Sequence, residues 1–129
     1  MKKQLMLPLL LAMLCATPAA IADTLASSVD VKQAATLQTH GSLLLDVREP
    51  NEFTEVHAKD AVLIPLGQLQ SRLGEIAQYK DKPVAVICRS GRRSAHGAEI
   101  LRSAGFTQVA NVEGGTNAWV SAGLPIVRN

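Results

Sequence analysis

Short apolar runs, each closed by a polar or turn-forming residue, alternate along this chain with stretches whose apolar positions recur every three or four residues. Leu43-Leu44-Leu45 leads into Asp46-Val47, Ala61 to Ile64 stops at Pro65, Val84-Ala85-Val86-Ile87 delivers Cys88, and Phe106 to Val112 ends at Glu113-Gly114-Gly115. The first three runs lack apolar/polar alternation, the pattern of strands covered on both faces. Between the runs, Val29 to Leu37 has apolar residues at 31, 34, 35 and 37, a modest helical period that Gly41 stops. A helical turn beginning at Pro50 is expected between Glu49 and Phe53. Leu66, Leu69, Leu73 and Ile76 predict an amphipathic helix extending to Tyr79. A further helix follows Cys88, with Ser94 as its expected N-cap and Gly105 as its stop. Gly97 and Ala98 in its first turns would let it lie close to a sheet. The last helix is expected over Thr116 to Ala122, and residues 23–28 read as a flexible lead-in with a short edge strand.

Strand and helix alternate from end to end, which calls for a mostly parallel sheet with helices on both faces. Ligands of such sheets sit beyond the carboxyl ends of the strands, and Cys88 stands at one of those ends. The length of 129 residues allows one domain with a real core and no internal repeat is visible.

The first residues follow a different pattern. Lys2 and Lys3 precede a twelve-residue apolar run from Leu5 to Ala16, and Ala20-Ile21-Ala22 places small residues where a signal peptidase inspects them. The run is shorter than the roughly 20 residues a membrane span needs. Residues 1–22 are therefore expected to be a cleaved secretory signal and residues 23–129 the working domain, free of the membrane in the periplasm. Leu14 stands where lipoprotein processing at Cys15 would want a small residue. Without Lys2 and Lys3, the 13 basic residues fall to a number equal to the 11 acidic ones, so the formal charge of +2 falls to zero. A neutral chain gives nucleic-acid binding no global support. It also leaves Cys88 as the single cysteine, unable to form an internal disulfide in an oxidising compartment.

That cysteine sits in Cys88-Arg89-Ser90-Gly91-Arg92-Arg93-Ser94, a loop of three arginines and a glycine against a helix start. Backbone N–H groups of such a loop converge on an anion, and the arginines favour a thiolate. The residues describe a nucleophile built to meet an anionic substrate. Three scattered histidines and one cysteine give no metal-ligand spacing, and no cofactor is expected.

The chain resembles the single-domain rhodaneses, thiosulfate sulfurtransferases, over nearly all of residues 23–129. Cys88 to Ala95 is similar to the family's active-site loop and helix start. Leu44-Leu45-Asp46-Val47-Arg48-Glu49-Pro50 with Glu52-Phe53 is similar to its first signature. Ile64-Pro65-Leu66, then Glu113-Gly114-Gly115 with Trp119, and finally Gly123-Leu124-Pro125, follow in the family's order. A signal peptide before one such domain resembles the periplasmic, phage-shock-type members. The chain departs from the family at Val56-His57-Ala58-Lys59-Asp60-Ala61, where a flexible glycine and a Pro-Gly turn are missing.

The resemblance implies a three-layer α/β/α domain around a five-stranded, mainly parallel sheet. It implies that Cys88 takes sulfur from thiosulfate or another sulfane-sulfur donor and passes it to cyanide or a thiol as a persulfide. Arg89, Ser90, Gly91, Arg92, Arg93 and Ser94 would bind the substrate, with Asp46 and Arg48 bracing the loop. Arg92 and Arg93 are the arginines favoured to face the substrate or brace the loop, and Ser94 is favoured as a cap over a bond to the sulfur. His57 and Trp119 read as packing residues, and His96 as a surface position. Nothing in the composition demands a dimer, so a monomer is expected.

Two rivals stand beside this reading. A cysteine-dependent phosphatase or arsenate reductase uses the same kind of loop, but the phosphatase motif places its arginine six residues after the cysteine. Ser94 occupies that position here, and Arg93 comes one residue early. The other rival is a non-catalytic binding module, a class that usually lacks the cysteine.

Overall fold

The computed structural model describes residues 25–129 together with Lys3, Gln4 and Pro8. Apart from Lys3, Gln4 and Pro8, the expected signal peptide lies outside the described residues, as does its cleavage point before Asp23.

The strands are β1 (Ser28–Val29), β2 (Leu43–Asp46), β3 (Val56–Ala58), β4 (Val62–Leu63), β5 (Val84–Ile87), β6 (Val109–Val112) and β7 (Ile126–Arg128). The helices are α1 (Val31–Thr39), α2 (Pro50–Glu55), α3 (Leu66–Leu69), α4 (Arg92–Ser103) and α5 (Gly115–Ser121), with a 3-10 segment over Gln70–Tyr79. Five strands form one sheet in the order β1-β6-β5-β2-β4, and every bonded pair is parallel. All residues of β2 and β5 are buried, which explains their unbroken apolar runs.

Side-chain alternation sorts those residues between two faces. Leu43, Leu45, Val84, Val86 and Val109 point toward Leu69, Ile76, Leu101 and Phe106, so α3, the 3-10 segment and α4 cover one side. Leu44, Ala85, Ile87, Ala110 and Val112 point toward Val31, Ala34 and Trp119, so α1 and α5 cover the other. This is the three-layer α/β/α architecture, and its five-stranded parallel sheet matches the expectation. Gly97 makes the α4 contact close: a Cβ there would stand 3.3 Å from Val86 and 3.4 Å from Val47.

Four local expectations change. The run from Ala61 to Ile64, read as covered on both faces, forms β4 at the edge of the sheet, with Val62 43% exposed. The helix expected from Leu66 to Tyr79 is one α-turn followed by 3-10 geometry, with Ile76 at φ −119°, ψ 15°. Gly67 and Gly74 weaken α geometry, and the core needs only Leu69 and Ile76 as anchors. The helix after Cys88 begins at Arg92, not after a Ser94 cap. Its cap position is Gly91 at φ +113°, so Ser94 lies inside the first turn. Finally, β3 and β7 form a small antiparallel sheet that pairs His57 with Val127. Three-residue strands carry too little periodicity to announce themselves. Lys59 N–H donating to the Pro125 carbonyl extends this pairing into the turn that lacks the family's Pro-Gly.

Candidate active site

β5 ends at Ile87, and Cys88 follows with only 1% of its surface exposed. The thiol is free and its sulfur accepts a hydrogen bond from Gly91 N–H at 3.1 Å. Ser94 Oγ stands 3.2 Å from the same sulfur. The position of Ser94 in the first turn of α4 is what turns its hydroxyl to the sulfur and corrects the capping expectation. Burial is the largest single influence on this thiol and opposes its ionisation. The Ser94 hydroxyl and the N–H groups of Ser94, Gly91 and Ser90 together outweigh it, so the Cys88 pKa is lowered. The result is a buried nucleophile in a cradle of donors.

The loop holds that shape because its carbonyls are bonded elsewhere. Thr116 N–H donates to the Cys88 carbonyl at 2.8 Å, Thr116 Oγ1 donates to the same oxygen at 3.1 Å, and Asn117 N–H donates to the Arg89 carbonyl at 3.1 Å. The start of α5 therefore holds the loop's acceptors outward and leaves its donors facing the sulfur. Gly115 makes that approach possible: a Cβ there would collide with the Cys88 carbonyl oxygen and lie 2.6 Å from the Arg89 carbonyl.

The arginines separate into distinct roles. Arg93 forms a two-pronged pair with Glu52, at 2.6 Å and 2.9 Å. The Arg93 guanidinium holds the Glu52 carboxyl well below its ordinary range, down to about 2, against the opposing effect of burial. Arg93 thus ties α4 to α2 and its charge is already matched. Arg89 lies 3.8 Å from Glu52 and is 62% exposed, and Arg92 is exposed as well. Ser90 is exposed, with its N–H turned to the sulfur.

Asp46 and Arg48 sit buried at the end of β2, joined at 2.8 Å. Arg48 also donates to the Val56 carbonyl at 2.8 Å and reaches the Glu52 carbonyl at 3.4 Å. They fix α2 and β3 and so support Glu52, which in turn holds Arg93; their bracing of the loop is indirect. His57 stacks on Phe53 and bonds its carbonyl through Nδ1, and Trp119 is buried with Nε1 donating to the Pro125 carbonyl. His96 is exposed on α4.

Sequence reasoning missed Glu52 as the partner of Arg93, and it missed Thr116, Gly115 and Asn111. Asn111 Oδ1 lies 2.6 Å from Ser94 Oγ, and its Nδ2 donates to the Gly91 carbonyl at 3.1 Å. A polar residue inside the run Val109-Ala110-Asn111-Val112 was the available signal. Glu52 had none, because its partner lies 41 residues away.

Beside the loop opens a mixed-charge cleft of about 380 Å³ lined by Arg48, Glu52, Arg89, Thr116, Asn117 and Arg128 among others. A larger apolar groove of about 630 Å³ runs between α1 and the amino ends of β5 and β6, with none of the cysteine loop in its lining. Among the described residues no three His, Cys, Asp or Glu side chains are grouped as metal ligands.

A model of the rhodanese-like domain matches residues 30–122. An uncharacterized protein of Synechocystis is 40% identical over 91 residues, covering 70% of this chain and 50% of the relative. The chain thus spans about half of that protein. Thiosulfate sulfurtransferase GlpE of Vibrio cholerae is 37% identical over 99 residues, covering 76% of this chain and 92% of the relative. The crystal structure of a rhodanese-related protein from Thermoplasma volcanium matches with a TM-score of 0.70 at 32% identity, over 79% of this chain and 98% of that one.

Proposed function

The chain belongs to the rhodanese-like domain family, and from that premise we propose that it moves sulfane sulfur from thiosulfate to a thiol or cyanide through a persulfide on Cys88. The observation that carries the reading is a buried Cys88 sulfur facing the N–H of Gly91 and the hydroxyl of Ser94 at the start of α4. The Cys88 thiolate attacks the outer sulfur of thiosulfate. The sulfur–sulfur bond of the donor breaks and its electron pair leaves with sulfite. The persulfide anion remains in the cradle until an acceptor thiolate or cyanide takes the outer sulfur, returning the bonding pair to Cys88. This is two-step covalent catalysis, and a thiolate favoured by its surroundings needs no neighbouring base.

Donors preorganised around developing negative charge contribute on the order of a hundredfold each in comparable oxyanion sites. Ser90, Gly91 and Ser94 supply them here, while the exposed Arg89 and Arg92 attract and orient the sulfonate. The matched charge of Arg93 speaks against a phosphatase, whose loop arginine must meet a phosphate directly. Initial-rate kinetics test the proposal. Parallel reciprocal plots with thiosulfate and cyanide are expected, with no Cys88-dependent hydrolysis of p-nitrophenyl phosphate. Phosphatase turnover without sulfur transfer would overturn it.

The N-terminal pattern supports export, and the proposed site of action is the periplasm, where the domain works as a monomer. Fractionation of cells producing the full chain is expected to recover a protein shortened by the first 22 residues in the periplasmic fraction. Retention of the full-length chain in the cytoplasm would contradict export.

A further inference from the structure

Ser94 Oγ stands between two acceptors, the Cys88 sulfur at 3.2 Å and Asn111 Oδ1 at 2.6 Å. A serine hydroxyl has one proton to give. The Asn111 amide cannot relieve this shortage by turning over. Its other end faces the Gly91 carbonyl at 3.1 Å, an acceptor only, so the NH2 group must point there and the oxygen must point to Ser94. Beside a neutral thiol, the short oxygen–oxygen contact holds the proton toward Asn111. Beside a thiolate or persulfide, the charge-assisted bond to sulfur is about twice as strong as a neutral one. The hydroxyl then turns to the sulfur, and Asn111 Oδ1 loses its donor.

We propose that Asn111 competes with the Cys88 sulfur for the Ser94 hydroxyl proton, so that Ser94 donates to the sulfur only while the sulfur is charged. The proton stays covalently on Oγ throughout, and only its hydrogen bond is redirected. Asn111 is a positioning residue, since it acts through Ser94. For turnover, the consequence rests on the proposed sulfur transfer: a donor held in competition supports the persulfide without trapping it. The competition itself does not depend on that reading.

Of the charged groups on the loop and the elements packed against it, Arg93 on α4 is matched by Glu52 on α2, Asp46 and Arg48 at the end of β2 are paired, and Arg89, Arg92, His96 and Glu113 are exposed. None of their side chains bonds Asn111, so they are constant across the comparison below.

The test is a double-mutant cycle of Ser94→Ala and Asn111→Ala, read as the pH midpoint of iodoacetamide alkylation on the peptide carrying Cys88. Loss of the Asn111 bond to Gly91 enters both arms and cancels. Ser94→Ala is expected to raise the midpoint in both backgrounds. Its effect on the ionisation constant should be about fivefold larger where Asn111→Ala has removed the competitor. An equal or smaller effect in that background would overturn the proposal. If Asn111→Ala does not fold, Asn111→Leu runs the same cycle. Alkylation needs no sulfur donor, so coupled midpoints in a protein that takes no sulfur from thiosulfate would refute only the proposed function. Additive midpoints in an active sulfurtransferase would refute only the competition.

Discussion

Two helices begin side by side at the carboxyl ends of β5 and β6, and their starts are used differently. Both α4 and α5 follow a left-handed glycine, Gly91 at φ +113° and Gly114 at φ +77°, and neither has a side-chain cap. The first N–H groups of α5 donate to the carbonyls of Cys88 and Arg89. At α4, the N–H groups of Gly91 and Ser94 converge instead on the Cys88 sulfur. Both helix starts present the positive end of a helix dipole. What separates them is the acceptor: backbone carbonyls for α5, the Cys88 sulfur for α4. α5 shapes the cradle with its donors, and α4 keeps its donors for the nucleophile. An anion site is therefore a property of the pair of helix starts, and each can be disturbed by itself.

The largest disturbance is expected from Gly115→Ala. A Cβ at that position meets the Cys88 and Arg89 carbonyls, backbone atoms that cannot swing aside. Displacing the loop by even an ångström costs about a hundredfold in catalysis, so sulfur transfer should fall at least that far, as thiosulfate–cyanide kinetics would read. Gly91→Ala should do less. Its Cβ would have 3.7 Å to its nearest neighbours, so only the positive φ is penalised. That strain is about 1–2 kcal/mol, and an activity loss of roughly tenfold with a lower melting temperature is expected.

Glu52→Gln tests the brace that holds α4 against α2. The Glu52 carboxyl titrates at about 2 in the folded chain against an ordinary 4.5. Its folded value is depressed, so its stabilisation is fully present above the ordinary value and disappears as pH falls toward 2. Wild type should exceed Glu52→Gln in melting temperature near neutrality, and the gap should close through this acid window. The smallest effect belongs to Thr116→Val, which removes the 3.1 Å hydroxyl bond to the Cys88 carbonyl but keeps the 2.8 Å backbone bond. About 1 kcal/mol of stability, measured by urea unfolding, is expected to be lost, with little change in activity.

The strands that carry the site were legible because burial on both faces leaves unbroken apolar runs, as in Leu43-Leu44-Leu45 and Val84 to Ile87. Cys88 and its loop were legible because thiol, glycine and arginines are contiguous. The relations across the fold were not. Glu52 meets Arg93, Thr116 meets the Cys88 carbonyl and Asn111 meets Ser94 only because parallel strands bring distant segments to one edge of the sheet. Ser94 looked like a cap because serine favours that place, but Gly91 takes the cap position and frees the hydroxyl for the sulfur. The 3-10 segment was hidden for a different reason: its anchors keep a helical spacing that 3-10 turns also satisfy.

The central claim is that the donors of α4 hold a sulfur on Cys88 that has come from an anionic donor. Intact-protein mass spectrometry after incubation with thiosulfate addresses it without assuming any acceptor. A gain of one sulfur atom, about 32 Da, is expected, removed by cyanide and absent in Cys88→Ser. An unmodified wild-type protein, or the same gain in Cys88→Ser, would contradict the account.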